Sequence, residues 1–175
     1  MTAGELLGSE VGKACLVFPF ATPSVEGDVC SVVAEFKIPQ FSGGRISLLD
    51  LECKYCGYSE QPGIRLFLNS DGSVFLDRAK LGFLTSPFKQ TSLPLFPFDT
   101  WTKLKVKVVM GKGSAGVAKV FINGSKVLEA SGTTMPDQNV ADEFGVTLTN
   151  EQYDRWQVGI TANSCPTPVT LKCRF

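Results

Sequence analysis

Residues 101–108 read Trp-Thr-Lys-Leu-Lys-Val-Lys-Val, and residues 118–128 read Ala-Lys-Val-Phe-Ile-Asn-Gly-Ser-Lys-Val-Leu. In the first segment apolar residues alternate with lysines, which is typical of a strand with one buried face and one solvent-exposed face. The second segment has apolar runs on both sides of Asn-Gly, a pair that readily adopts the positive φ angles of a two-residue type I′ turn. These segments predict neighbouring antiparallel strands. The expected core residues are Leu104, Val106, Val108, Val120 and Ile122, and the expected exposed residues are Lys103, Lys105 and Lys107.

Short strand patterns separated by glycine and proline recur along the whole chain. The clearest are 30–38, 64–68, 74–76, 156–160 and 169–173, and the second and third of these flank Asp71-Gly72 as another hairpin. Only 1–12 and 136–144 could form a helical turn. Because strands do not alternate with helices, the sequence predicts an all-β fold, an antiparallel two-sheet β-sandwich or a barrel, with very little helix and a single domain spanning residues 1–175.

The composition excludes several classes of function. The 175 residues include 17 basic and 17 acidic side chains, so the chain has no overall cationic surplus for binding nucleic acid. Histidine is absent, which excludes Ser-His-Asp and Cys-His catalysis and histidine-ligated zinc. No apolar stretch approaches the ~18 residues of a membrane-spanning helix, and the first five residues show no signal-peptide pattern. We therefore expect neither nucleic-acid binding nor membrane insertion.

Residues 98–106 and 118–127 together resemble the signature of concanavalin A-like jelly rolls, in which a tryptophan precedes an alternating strand and a later strand ends in Asn-Gly. This superfamily includes laminin-G-like domains, many lectins, and several glucanases and polysaccharide lyases. The resemblance implies two curved antiparallel sheets with a concave face that, in relatives, often holds sugar. The matching residues belong to the core and to a turn, so the function has to be argued from the site itself.

The resemblance also directs attention to carboxylates. Glucanases of this superfamily carry a Glu-x-Asp-x-x-Glu strand motif, and the nearest match here is Leu-Leu-Asp-Leu-Glu at residues 48–52. Asp50 and Glu52 would share one face of a strand, but leucine occupies the position of the first glutamate and no glutamate stands at the third. We therefore expect no enzymatic activity, with a degenerate glucanase- or lyase-like enzyme as an alternative.

The candidate binding residues lie mainly on one strand. Tyr153, Arg155 and Gln157 alternate, so they are expected to project from one face while the apolar residues between them project from the other. An aromatic ring, a bidentate donor and an amide suit a hydroxyl-rich or uronate ligand. The remaining candidates are Arg65 from another strand and two tyrosines of a loop, Tyr55 and Tyr58.

The cysteines leave several interpretations open. Their even number, six, suits disulfides, yet free structural thiols fit equally well, and the Cys-Lys-Tyr-Cys spacing at 53–56 also fits a zinc knuckle. The disulfide candidates are Cys15, Cys30, Cys53, Cys56, Cys165 and Cys173. No cofactor is expected. Relatives often bind calcium through loop carboxylates, for which the candidates are Asp71, Asp99 and Asp154, although no dense acidic loop is present.

The lysines at 103, 105 and 107, with Lys119 nearby, have two interpretations. Such a stripe is usually the solvated face of a sheet. It could instead bind an acidic polymer or form a protein interface.

The leading functional hypothesis is a non-catalytic, lectin-like recognition module that binds glycan on an extracellular or virion surface. The alternative is a structural or decoration protein of an assembly, such as a phage capsid or tail, as a homo-oligomer or in contact with other proteins. The enzyme is the third hypothesis. The absence of histidine and of an export signal favours the second hypothesis, but the sequence does not decide between the first two.

Overall fold

The computed structural model describes residues 4–8, 12–53, 63–77, 89–135, 138, 142, 147–149, 152–162 and 169–174. These residues form two antiparallel sheets of six strands each, as predicted for a two-sheet sandwich. Sheet A has the order β1-β12-β3-β8-β9-β10, and sheet B has the order β2-β11-β4-β5-β6-β7. The strands are β1 Gly4–Gly8, β2 Gly12–Pro19, β3 Val29–Lys37, β4 Arg45–Glu52, β5 Gly63–Asn69, β6 Val74–Asp77, β7 Lys89–Gln90, β8 Thr102–Val109, β9 Val117–Ile122, β10 Ser125–Ser131, β11 Arg155–Ala162 and β12 Val169–Arg174.

The alternating pattern of β8 determines which of its faces meets the core. Leu104, Val106 and Val108 are at most 1% exposed, whereas Lys103 and Lys105 are exposed and Lys107 is half-buried. On β9, Val120 and Ile122 are buried as well. The predicted register of this hairpin region is therefore confirmed, with one lysine less exposed than expected.

Two turns have the backbone conformation that the sequence predicts. Asn123 has φ 49° and Gly124 has φ 87°, which are the positive angles of a type I′ turn between β9 and β10. Gly72 has φ 85° in the turn between β5 and β6. Both hairpins therefore have the strand pairing that their turn residues favour.

The core lies between the two sheets and is closed by large apolar side chains from both. The largest fully buried ones include Phe36 and Leu104 from sheet A and Leu49, Leu51 and Leu66 from sheet B. Trp156 of β11 is also buried, at 3% exposure, as expected from its position in the strand pattern. Burying this much apolar area is the main favourable term in folding.

One expectation about secondary structure was wrong. Residues 1–12 were expected to allow a helical turn, but Gly4–Gly8 form β1 and Gly12 begins β2. The strand β1 pairs with β12 along five consecutive positions, so its conformation is fixed by a partner more than 160 residues away in sequence. In the other region, Gln138 and Asp142 are helical.

The described cysteines are of two kinds. Cys30 is a buried free thiol, and Cys53 is disulfide-bonded. Because its sulfur is in a disulfide, Cys53 does not supply a thiolate for the zinc knuckle considered above. At Cys15 of β2 and Cys173 of β12 the structure describes the backbone alone, while Cys56 and Cys165 lie outside the described residues. Among the described residues, no helix is long and apolar enough to cross a membrane.

Candidate functional site

The outer face of sheet B carries a row of polar residues from four adjacent strands. Gln157 of β11 stands opposite Asp50 of β4, Asp50 stands opposite Arg65 of β5, and Arg65 stands opposite Asp77 of β6. Residues directly opposite each other on neighbouring strands share a face, so the four side chains lie in one line across the sheet. We call this line the polar row.

The centre of the polar row is an ion pair. Arg65 Nε donates to Asp50 Oδ2 at 2.9 Å, and a second guanidinium nitrogen of Arg65 contacts the same oxygen. The side chain of Asp50 is 8% exposed and that of Arg65 is 20% exposed, so the guanidinium covers the carboxylate and remains the more accessible group. Charge-assisted hydrogen bonds of this kind hold both groups in one orientation.

A second pair of side-chain contacts lies next to the polar row, where the end of β4 meets the start of β11. Gln157 donates from its amide to Glu52 Oε1, and Glu52 is completely buried. Arg155, which stands opposite Glu52, donates from Nε to Asp154 Oδ1 at 2.5 Å. Both members of this ion pair are about one-sixth exposed, at 17% and 18%. Arg155 is therefore accessible and already oriented.

An aromatic pair extends the site towards the other end of β5. Phe67 and Phe75 stack with ring centroids 5.1 Å apart and planes inclined by 20°. The guanidinium of Arg45 lies 4.5 Å from the Phe67 ring centroid and 4.9 Å from that of Phe75. This is a cation–π arrangement, and it presents the exposed Arg45 at the surface of sheet B. Phe67 and Phe75 form their own small cluster, apart from the main core.

The charges on this face nearly balance. Strands β4, β5, β6 and β11 carry three arginines (Arg45, Arg65 and Arg155) and three carboxylates (Asp50, Glu52 and Asp77), and Asp154, which precedes β11, adds a fourth carboxylate. Each arginine is held by a carboxylate or by aromatic rings, which leaves donors and acceptors in fixed positions without a cationic surplus. Such a surface can pair with hydroxyl groups, which both donate and accept hydrogen bonds.

The structure brings three of the sequence-predicted site residues together and separates a fourth. Arg65, Arg155 and Gln157 share the outer face of sheet B, as expected. Tyr153 does not, because it precedes β11 and its side chain is 3% exposed within the main core, so the expectation that it is exposed was wrong. Its backbone anchors the neighbouring loop by accepting a hydrogen bond from Ser24 N at 2.8 Å. The tyrosines at 55 and 58 lie outside the described residues.

Sequence reasoning missed Arg45 and the aromatic pair. In β5 the residues Ile64, Leu66 and Leu68 are buried in the core, and Phe67 between them appeared to belong to one continuous apolar run. A signal was nonetheless present, because Arg65 and Phe67 occupy the same parity of the strand. Arg45 is the first residue of β4 and precedes the apolar part of the strand, so the sequence pattern did not indicate which face Arg45 occupies.

The calcium candidates are not brought together into one site. Asp71 accepts hydrogen bonds from the backbone and hydroxyl of Ser73, and these lower the pKa of its carboxyl group. Asp99 adopts φ 58° in the loop before β8, and Asp154 pairs with Arg155. Among the described residues, no cluster of three or more His, Cys, Asp or Glu side chains could hold a metal ion.

A separate cavity of about 340 Å³ lies beside β3, lined in part by Phe20, Ser24, Cys30 and Trp156. Burial raises the pKa of the Cys30 thiol, and the nearby Asp28 charge adds to this, while a hydrogen bond with Ser24 opposes it. The thiol is therefore un-ionised at neutral pH and is not a nucleophile. This cavity contributes nothing to the polar row.

Comparison with known proteins finds similarity at the level of structure alone. No sequence profile of a known family and no curated protein matches the chain. An endo-β-1,4-glucuronan lyase from Trichoderma reesei is similar in structure, with a TM-score of 0.63 at 10% identity over 97% of this chain and 76% of the lyase. The cellulose-induced protein Cip1 gives 0.62 at 12% identity over 98% of this chain and 76% of Cip1.

A third similar structure is the carbohydrate recognition domain of Emp46p, in a mutant form. It gives a TM-score of 0.51 at 13% identity over 98% of this chain and 85% of that domain. At these identities the comparisons establish the fold and no more. The chain has the concanavalin A-like jelly-roll fold that the segments at 98–127 led us to expect.

Proposed function

We propose that this chain is a non-catalytic carbohydrate-binding module, and that it holds a glycan on the outer face of sheet B. The observation that carries the proposal is the polar row, in which the buried carboxylates of Asp50 and of the neighbouring Glu52 orient the more accessible side chains of Arg65 and Gln157, and the line continues onto β6. A sugar presents hydroxyl groups at regular intervals along its ring, so a rigid line of such groups on strands suits it.

The balanced charge of this face favours a neutral glycan over an acidic one. An acidic sugar is best held by arginines that keep their fork free for its carboxylate. Here Arg65 is bonded to Asp50 and Arg155 to Asp154, so two of the three guanidinium groups already have an anionic partner. The similar structures described as a carbohydrate recognition domain and a polysaccharide lyase support a carbohydrate ligand in general.

The environment of the carboxylates supports a binding role without catalysis. A glycosidase needs one carboxyl group to transfer a proton to the ligand and a second to act as nucleophile or base. Glu52 is 0% exposed and accepts from Gln157, while Asp50 is bonded to Arg65 and is 5% exposed. Both groups therefore lie beneath their partners, out of direct reach of a ligand.

A structural role in an assembly is the second candidate, and one observation favours it. The edge strand β2 has three consecutive apolar side chains exposed, Leu16 at 41%, Val17 at 44% and Phe18 at 36%. Edge strands with exposed apolar residues tend to pair with other chains, so a homo-oligomer would bury them. The disulfide at Cys53 supports an extracellular or surface location for either function, because disulfides persist in oxidising compartments.

The test is a glycan array followed by affinity measurements on two variants. Arg155→Ala should weaken binding of the selected glycan at least tenfold, equivalent to about 1.4 kcal/mol, because it removes an accessible donor beside the polar row. Lys105→Ala is the matched control, since it removes an exposed cation from the opposite sheet and should leave the affinity unchanged.

Three outcomes would contradict the proposal. Unchanged glycan affinity in both Arg155→Ala and Gln157→Ala would place the ligand elsewhere on the molecule. A stable oligomer in native mass spectrometry, with no glycan bound on the array, would favour the assembly protein. Turnover of any polysaccharide that is lost in Asp50→Asn would establish an enzyme.

A further inference from the structure

The outer face of sheet A carries a concentration of positive charge that the neutral composition conceals. Its outward positions on strands β3, β8, β9 and β10 hold six lysines and only two glutamates, a local surplus of four positive charges. The lysines are Lys37, Lys103, Lys105, Lys107, Lys119 and Lys126, and the glutamates are Glu35 and Glu129. We call this surface the lysine face.

The two glutamates neutralise only part of the lysine face. Glu129 forms ion pairs with Lys119, at 3.3 Å, and with Lys126, and these lower the pKa of its carboxyl group. Within the part of the chain that the structure describes, the three lysines of β8 form no salt bridge, and Glu35 does not form one with Lys103, which it faces across the ladder. The stripe on β8 is therefore available to an external anion.

The lysine face also contains two apolar side chains at its centre, one on each side of Lys105. Val33 of β3, Lys105 of β8 and Phe121 of β9 stand side by side, and Lys126 of β10 stands opposite Phe121. The Lys105 ammonium lies 5.9 Å from the Phe121 ring centroid, and Val33 is 40% exposed. Apolar side chains that alternate with cations across the strands suit a ligand that has both a hydrophobic ring face and negative charge.

We propose that the lysine face binds a linear sulfated polysaccharide. Successive outward lysines of β8 are ~6.6–6.8 Å apart, so their ammonium groups meet anionic groups that recur along an extended chain. On the outward positions of β3, β8, β9 and β10 every cation is a lysine, a compact point charge that attracts an anionic group without the planar fork by which arginine matches a carboxylate in bidentate fashion. The half-buried ring of Phe121 provides a surface on which the C–H face of a pyranose packs.

Nucleic acid is a less suitable ligand for this surface. Single strands bind through several aromatic side chains along a basic groove, and among the described outward residues of sheet A, Phe121 is the one aromatic. The proposal goes beyond the glycan site on sheet B, because it concerns the opposite sheet and none of the same residues.

The test is a titration with dextran sulfate, with unsulfated dextran, polygalacturonate, duplex DNA and anionic vesicles as comparisons. The wild-type chain should bind dextran sulfate, more weakly as salt rises from 50 to 200 mM. The triple variant Lys103→Gln, Lys105→Gln and Lys107→Gln should bind at least tenfold more weakly at 50 mM salt. Its slope of log affinity against log salt concentration should also fall in magnitude by about 2, because three contacts with the polyanion are lost.

Two further variants separate this site from the glycan site. Glu35→Gln should bind dextran sulfate more tightly, since it removes an anion from the lysine face. Arg155→Ala, on the other sheet, should bind it as the wild type does. Thermal melting curves verify that the triple variant is folded, which is expected because its three side chains make no ion pair in the described part of the chain.

Several results would overturn the proposal. These are an absence of dextran sulfate binding at 50 mM salt, wild-type affinity in the folded triple variant, and equal binding of unsulfated dextran. Polygalacturonate, duplex DNA or anionic vesicles that bind as tightly as dextran sulfate, at matched charge, would likewise refute the assignment to a sulfated polysaccharide. None of these results bears on whether Arg155→Ala weakens the neutral glycan.

Discussion

The replacement Val106→Ala tests the two-sheet packing directly, because Val106 lies at the centre of sheet A. It stands opposite Val32 on one side and Val120 on the other, and it is 1% exposed. The change removes two buried methyl groups, worth about 0.8 kcal/mol each, and the cavity that remains adds about 24 cal/mol per Å³. We therefore expect a loss of about 2 kcal/mol in the free energy of unfolding, within a range of about 1–3 kcal/mol.

The matched control is Val33→Ala, which makes the same chemical change on the opposite face of the same sheet. Val33 is 40% exposed and lies one strand away, opposite Lys105. Both substitutions reduce β propensity alike, so the difference between them measures burial. In urea denaturation followed by tryptophan fluorescence, Val33→Ala should lose less than about 1 kcal/mol. In thermal scans Val106→Ala should melt roughly 4–8 °C below the wild type.

Equal losses for the two variants would refute the reasoning. They would mean that the two valines have similar surroundings, and hence that the assignment of inner and outer faces on β3 and β8 is wrong. A larger loss at Val33 would reverse the faces. A change in the slope of unfolding with urea would show instead that the unfolded state had been altered.

Two further predictions concern backbone strain and a buried thiol. At Gly124, where φ is 87° and an added Cβ would meet nothing within 4 Å, Gly124→Val should destabilise by roughly 1 kcal/mol or more through strain alone. Gly124→Asn should lose much less, and equal melting temperatures for all three proteins would place the turn elsewhere. The Cys30 thiol should react with maleimide at least tenfold more slowly in the native chain than in urea. Because burial raises its pKa above the ordinary value of 9.0, its contribution to stability should persist below pH 9 and be lost as the pH rises through the folded-state pKa. Cys30→Val should abolish that loss, and fast labelling under native conditions would contradict the burial.

The core residues of sheet A could be predicted from the sequence. A strand with one face in the core and one in solvent alternates apolar and polar residues, and this alternation is visible within a single segment. The burial of Leu104 and Val106 could be predicted without knowing which strands pair with β8. The backbone preferences of Asn123-Gly124 likewise predicted the adjoining hairpin. The strand β1 could not be predicted in this way. It is short and contains glycine at both ends, so its conformation depends on pairing with β12 at the other end of the chain.

The candidate site was predictable only in part, for a related reason. The parity of β11 placed Arg155 and Gln157 on one face, but Tyr153 lies before the strand begins, where alternation no longer applies, and its ring turns into the core. The partners of these residues depend on register between distant strands. Asp50 and Gln157 are 107 positions apart in the sequence, and no local sequence pattern predicts that they stand opposite each other.

The distribution of charge shows most clearly what register adds to composition. A net charge of zero gave no reason to expect an ionic ligand. Yet strands β3, β8, β9 and β10 of sheet A gather six lysines against two glutamates on their outer face, while strands β4, β5, β6 and β11 of sheet B set three arginines against three carboxylates. Binding to the lysine face should weaken steeply with salt, whereas binding to the balanced face of sheet B should change little between 50 and 200 mM salt, because few counterions are released there. Measuring the salt dependence of the affinity for each ligand therefore assigns that ligand to one of the two sheets before any variant is made. If the affinity for a neutral glycan fell with salt as steeply as the affinity for dextran sulfate, the two faces would not act separately.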